Sequence, residues 1–318
     1  MKLPFLPESA STLGERVDTL FAALTLVTGA VALAVVALLI AFALRYRRGS
    51  RADRRRAPEA VRLRTERHLE IAWIGIPMLL FSAAFAWAAA LYFDHAAPPD
   101  GALEIAVVAK QWMWKLQHAT GQREIDELHV PVGIPVKLVM TSQDAIHSFY
   151  VPAFRLKQDV LPGRYTVLWF TATHAGEYHL FCAEYCGTDH SRMIGRVVAL
   201  DPAQFQRWLA ANNAEPTMAA RGEALFGAFG CGGCHGPGSA VRAPPLEGLY
   251  GRPVALADGR TVIADERYLR DAILLPAKEV VAGYAPVMPS FSGQIAEADL
   301  LDLIAYLKSA SGREPASR

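Results

Sequence analysis

The sequence carries almost no net charge. Its 32 Lys and Arg residues stand against 31 Asp and Glu over 318 residues, which excludes a nucleic-acid binder working by bulk electrostatics. Cysteine is scarce: all four fall in two short motifs, so none is left over for a structural disulfide. There is no internal repeat and no low-complexity segment. Two stretches lack Asp, Glu, Lys and Arg altogether, Leu20–Leu44 and Ile71–Phe93, and each is long enough to cross a bilayer core as a helix.

Between these stretches, Arg45 to Arg67 holds ten arginines against Asp53, Glu59 and Glu66. The positive-inside rule puts this loop in the cytoplasm, so both termini and everything after Phe93 face the other side, the periplasm or exterior of a bacterium. Glu8, Glu15 and Asp18 precede an apolar run about twice the usual length of a signal-peptide core, so the first span reads as an anchor rather than a cleaved leader.

From Leu103 to Leu200, short apolar or alternating runs are separated by Gly, Pro and Asp turns: Leu103–Ala109, Val136–Thr141, Tyr165–Phe170, Glu177–Phe181 and Ile194–Leu200. Such spacing predicts a β-sandwich or barrel. Asp201–Asn213 reads as a helix and Asn212–Pro216 as a linker. Helical patches follow at Ala219–Phe229, Asp265–Leu275 and Glu297–Ser309, the last with Leu300, Leu303, Ile304 and Leu307 on one face. The expected division is a membrane segment, 1–98, with spans near 20–44 and 70–93, then a β domain, 99–213, and an all-α domain, 217–312.

The first cysteine motif is Cys182-Ala-Glu-Tyr-Cys186-Gly-Thr-Asp-His190-Ser-Arg-Met193, with His147 upstream beside a strand end. Two thiolates, two imidazoles and a thioether form a soft donor set. Two Cys and two His also satisfy tetrahedral zinc, but a Met beside them on a β scaffold favours electron-transfer copper. A mononuclear blue site needs one Cys, so two cysteines four apart suggest thiolates bridging two coppers. The competing structure in an oxidising compartment is a Cys182–Cys186 disulfide.

The second motif, Cys231-Gly-Gly-Cys234-His235, is the attachment signature of c-type haem. After His235 there is no further His and a single Met, Met288, so the sixth iron ligand is Met288, or else Lys278 or Lys308. His68, His95, His118, His129, His174 and His179 lack partners at ligand spacing and read as solvent-facing or satisfied.

Together these residues resemble subunit II of haem–copper cytochrome c oxidases with a fused cytochrome c domain, the caa-type arrangement. The resemblance implies a two-helix hairpin, a cupredoxin-like β-sandwich and an all-α cytochrome c domain. It also implies that Cys182 and Cys186 bridge the two coppers of a CuA centre, that His147 and His190 each bind one, that Met193 is a weak ligand, and that the Glu184 carbonyl completes the set. The Glu184 side chain would face subunit I and help bind magnesium. Lys110-Gln-Trp112-Met-Trp114 matches the segment whose first Trp admits electrons, and Asp144 and Asp159 match positions that dock basic cytochrome c. Glu70 matches a glutamate at the cytoplasmic entrance of a proton channel. Gly222 and Phe226 resemble a first-helix pair that packs on a C-terminal aromatic, here Tyr306, although Phe226 lies five residues before Cys231 instead of four. The implied function is to accept electrons at the haem, pass them to copper and on to subunit I, which reduces oxygen to water with proton pumping. The implied setting is a bacterial inner membrane, with subunits I and III as partners.

Overall fold

The computed structural model describes residues 7–49, 59–212, 215–236 and 238–312; the arginine-rich loop falls partly outside these, at 50–58. The chain divides into two units, one built from 15–97 and the other from 7–14 together with 98 onward.

The first unit is a pair of long helices, α1 (Thr12–Arg45) and α2 (Glu59–His95). Both outrun the charge-free stretches because their ends continue through polar residues. Their apolar side chains point outward, with Leu26 72% and Phe81 76% exposed, a surface that hydrocarbon would cover. The hydroxyls of Thr19, Thr25 and Thr28 donate to carbonyls four residues back, which satisfies them without water. Pro77 lies inside α2, a position membrane helices tolerate. Arg16 near the start of α1 meets Asp94 near the end of α2 at 2.6 Å, so the two helices run antiparallel as a hairpin.

The second unit begins with ten strands: β1 (Leu103–Lys110), β2 (Met113–His118), β3 (Arg123–Ile125), β4 (Glu127–Pro131), β5 (Pro135–Ser142), β6 (His147–Val151), β7 (Leu156–Val160), β8 (Thr166–Thr171), β9 (Gly176–Cys182) and β10 (Ile194–Leu200). They form two sheets, ordered β3-β2-β1-β5-β8 and β4-β10-β9-β6-β7. Ile105, Val107, Val136 and Leu138 of the first sheet and Leu128, Phe149, Leu180 and Val197 of the second share one buried core, the layering of a cupredoxin-like sandwich. A strap before α1 is stitched into this domain. Ala10 N donates to Ala153 O, Thr173 N donates to Ala10 O, and Ser11 Oγ donates to Phe154 O; Ser11 is fully buried.

Helix α3 (Pro202–Ala211) closes the sandwich and carries Phe205 and Trp208. The haem-motif domain then comprises α4 (Met218–Ala228), α5 (Gly232–His235), the small hairpin β11 (Pro253–Ala255) and β12 (Thr261–Ile263), α6 (Glu266–Leu274) and α7 (Glu297–Ala310). All four apolar residues expected on one face of α7 are buried. Gly222 lets α4 cross α7 at close range: a Cβ there would collide with the Asp302 carbonyl and with Tyr306. Phe226 packs on Tyr306 with ring centroids 5.3 Å apart, so the five-residue offset from Cys231 leaves this contact intact.

The two domains of this unit are packed together. Ala106, Val108 and Val139, on the outer face of the first sheet, bury against Met218 and Leu301 of α4 and α7. Strand β1 is therefore apolar on both faces, which is why it reads as a continuous run and not as an alternation. Polar contacts ring this patch. Gln117 Nε2 donates to buried Asp302 at 2.6 Å, Arg270 donates to the Gly163 carbonyl, and Glu104 and Lys137 of the sandwich meet Glu266 and Lys308 of the α domain.

Candidate copper centre and haem site

Three strand ends converge to build the first site. The β6–β9 register pairs Phe149 with Cys182, which sets His147, two residues earlier, beside the loop leaving β9. The β9–β10 register pairs Phe181 with Ile194, and Cys182 N donates to Met193 O, so Met193 returns to the same end. The intervening loop turns back through Gly187, whose φ of +124° favours glycine and where a Cβ would stand about 3 Å from the Gln111 and Trp112 side chains.

The donors His147, Cys182, Cys186 and Met193 are buried. The ligand atoms of His147, Cys182 and Cys186 lie within 4.8 Å of one another. Cys182 and Cys186 are free thiols with sulfurs 3.8 Å apart, well beyond the S–S bond of about 2.05 Å, so the competing disulfide is not formed. His190 Nδ1 is 3.5 Å from Cys186 Sγ, and Met193 Sδ is 3.1 Å from His147 Nδ1 and 3.9 Å from Cys186 Sγ. The Glu184 carbonyl accepts from Cys182 Sγ at 3.2 Å, while the Glu184 side chain is exposed.

Burial pushes both thiols up, but at Cys182 the contacts with His147, the Glu184 and Ser148 backbone and Cys186 together outweigh it and hold that thiol at about 6. At Cys186, burial and the neighbouring Cys182 charge act together and push it up to about 12. The pair thus keeps one proton near neutrality, a proton that a bound cation displaces. A buried, unoxidised set of two sulfurs, two imidazoles and a thioether fits copper.

The residues around the ligands add what the sequence reading missed. Asp144 accepts from His147 Nε2 at 2.8 Å, from Gln111 N at 2.8 Å and from Ala145 N at 2.7 Å. Burial raises the Asp144 carboxyl, but these bonds outweigh it and hold it below its ordinary value. An ionised carboxylate only accepts, so Nε2 of His147 carries the proton and Nδ1 turns its lone pair toward the sulfurs. The i,i+3 spacing of Asp144 and His147 was the available signal. Asp159, the other predicted docking residue, is half exposed and accepts from Ser148 and Lys157. Trp112 is half-buried, and its Nε1 donates to Cys186 O at 3.3 Å. Trp114 is fully buried and packs edge-on to Phe149. Glu70 lies exposed on α2, far along the chain from these donors.

The second site is an apolar cavity of about 390 Å³ lined by Cys231, His235, Leu269, Met288, Phe291 and Leu303, among others. Cys234 lines an adjoining cavity with Cys231 and Met288. His235 Nδ1 donates to the Pro244 carbonyl at 3.1 Å, which leaves Nε2 free to bind iron. Met288 shares the cavity with His235. Lys278 instead pairs with Asp271 at 2.6 Å and Lys308 with Glu104 and Glu266. An apolar slot with two thiols and an oriented imidazole fits a covalently attached haem.

Residues 115–200 match the family described as cytochrome c oxidase subunit II, periplasmic domain, and residues 219–311 match the cytochrome c family. The chain is 29% identical over 300 residues to cytochrome c oxidase subunit 2 of Alkalihalophilus pseudofirmus, covering 89% of this chain and 84% of that protein. It is 40% identical over 115 residues to the protein of the same name from Synechocystis sp., covering 36% of this chain and about a third of that one, 35%. Among solved structures, the periplasmic domain of oxidase subunit II from Bradyrhizobium japonicum is 28% identical, with a TM-score of 0.35, covering 36% of this chain and 96% of that one.

Hairpin, sandwich and haem-motif domain together define a membrane protein with a periplasmic electron-transfer module that uses copper and haem c. Its sandwich matches the cytochrome c oxidase subunit II family and its last domain the cytochrome c family, and matches to subunit 2 proteins run across the chain, which supports a subunit II with a C-terminal cytochrome c domain.

Proposed function

We propose that this chain is the electron-input subunit of a proton-pumping terminal oxidase, taking electrons from cytochrome c or a similar donor and delivering them to a haem–copper subunit I that reduces oxygen to water. The observation that carries this is the convergence of His147, Cys182, Cys186, His190 and Met193 at one end of a rigid sandwich, in a chain that also presents the Cys231, Cys234, His235 and Met288 cavity. When bound, a dinuclear copper centre and a haem c supply one-electron transfer.

The residues do the rest. Cys182 and Cys186, with His147, His190, Met193 and the Glu184 carbonyl, would hold the copper, which would supply one-electron transfer there. Buried Trp114 backs the His147 ring and is itself packed on Phe149, so the donors are held to change little in position between charge states. Cys231 and Cys234 would anchor the haem, and His235 and Met288, which line the same cavity, would supply its iron ligands. Trp112, hydrogen-bonded to the copper loop, lies at the electron entry, and Asp144 and Asp159 contribute to docking a basic donor. The exposed Glu184 side chain shares magnesium with subunit I. Glu70 admits protons from the cytoplasmic side, and subunit III completes the assembly in a bacterial inner membrane. The proposed domain limits are 1–98, 99–213 and 217–312, with the strap at 7–14 belonging to the unit that holds the sandwich.

The test is Cys186→Ser in the assembled oxidase. Turnover with reduced cytochrome c is expected to vanish while the c-haem spectrum persists. Unchanged turnover rejects the copper assignment.

A further inference from the structure

Away from both metal sites, Glu124 and Glu127 sit beside His129 on β3 and β4, with ligand atoms within 4.8 Å of one another. They line one groove with Asn212 and Glu215 from the segment that leads to the haem-motif domain. The six histidines outside the two motifs read as satisfied or solvent-facing from sequence. His129 is satisfied at one nitrogen only. Its Nδ1 meets Glu124 Oε2 at 2.5 Å, and its ring stacks on Trp208 at 4.4 Å, 16° from parallel.

This is the arrangement in which a carboxylate fixes the tautomer of a metal-binding imidazole: Glu124 accepts a hydrogen bond from Nδ1–H and Nε2 is left with its lone pair. Nε2 lies 3.4 Å from Glu127 Oε1, too long for a good N–H···O bond. Two ligands at the usual zinc distances of about 2.0–2.1 Å, set tetrahedrally, stand about 3.4 Å apart. Arg196 holds the other oxygen, Oε2, of Glu127 at 2.5 and 2.8 Å, which aims Oε1 at the ring. The remaining cation on the groove, Arg123, leans toward the Asp302 carboxylate at 3.7 Å.

We infer that His129 Nε2 and Glu127 Oε1, joined by Glu215, form a third metal site, for a divalent transition ion that accepts nitrogen and oxygen donors, zinc above all. Glu124 is its positioning residue.

The test uses the full chain, copper- and haem-loaded, in detergent. Zinc sulfate is titrated, zinc per chain is counted by mass spectrometry, and the zinc K-edge absorption is recorded. One extra zinc with a shell of nitrogen and oxygen near 2.0–2.1 Å is expected. Glu127→Gln removes only a half-exposed partner of Arg196 and leaves the fold in place; it is expected to weaken this zinc at least about tenfold, as is Glu124→Gln. Unaltered copper content and c-haem spectra in the variants confirm folding. The inference is overturned by no zinc beyond the resident metals, by a sulfur-containing shell that places the ion at Cys182 and Cys186, or by equal affinity in wild type and Glu127→Gln.

Discussion

Lys308 of α7 reaches both carboxylate oxygens of Glu104 on β1 at 2.7 Å, across 204 positions of sequence. It also lies 3.0 Å from Glu266 Oε1, which Lys137 of β5 approaches at 2.8 Å. Two lysines and two glutamates, one of each from either domain, thus close around the apolar contact of Ala106, Val108, Met218 and Leu301.

Replacing one member leaves the others poorly paired. Glu266 is 13% exposed and lies between two cations, so Glu266→Gln is expected to weaken the interdomain contact by about 3 kcal/mol. Hydrogen exchange of α7 and of the outer face of β1 reports it. Unchanged protection would show that the apolar patch alone holds the domains together.

The same cluster sets a pH window. Burial raises the Glu266 carboxyl, but Lys308 and Lys137 outweigh it and hold it well below its ordinary range. Its contribution is present above the unfolded carboxylate value, about 4.3, and declines as pH falls below it. Burial lowers Lys137, but Glu104 and Glu266 outweigh it and hold it above its ordinary value. That contribution is complete below about 10.4 and is lost at more alkaline pH. Protection of the interface is therefore expected to stay flat from about pH 5 to 10 and to fall on either side.

Asp144 offers a test of positioning against docking. Asp144→Asn replaces the ionised acceptor on His147 Nε2, and copper affinity is expected to fall by about 10- to 100-fold with an altered copper spectrum. A variant with normal copper binding and only a weaker response to basic donors would assign Asp144 to docking alone.

Met288→Leu is expected to lower the potential of the c-haem, because a thioether opposite His raises it. A redox titration of the full chain reads the shift. An unmoved potential would point to another sixth ligand.

Much of this fold is legible locally. Both helices follow from charge-free runs, and β10 and α7 fall within a residue of their expected limits. The candidate copper donors could be found because four of them, Cys182, Cys186, His190 and Met193, lie close together in the sequence. Strands β2, β3, β4, β6 and β7 escaped. Three to six residues long, they lack the length for periodicity, and His147 spends the first position of β6 on a ligand. The contacts that unite the two domains were invisible for a different reason. Glu104 and Lys308, or Gln117 and Asp302, are ordinary charged and polar residues until distant chain segments meet.

The strap at Ala10 and Ser11 carries a consequence for biogenesis. Its hydrogen-bond partners, Ala153, Phe154 and Thr173, leave the ribosome more than a hundred residues later. The strap therefore cannot seat until β8 has been made, so the sandwich closes around it only after both long helices have been synthesised.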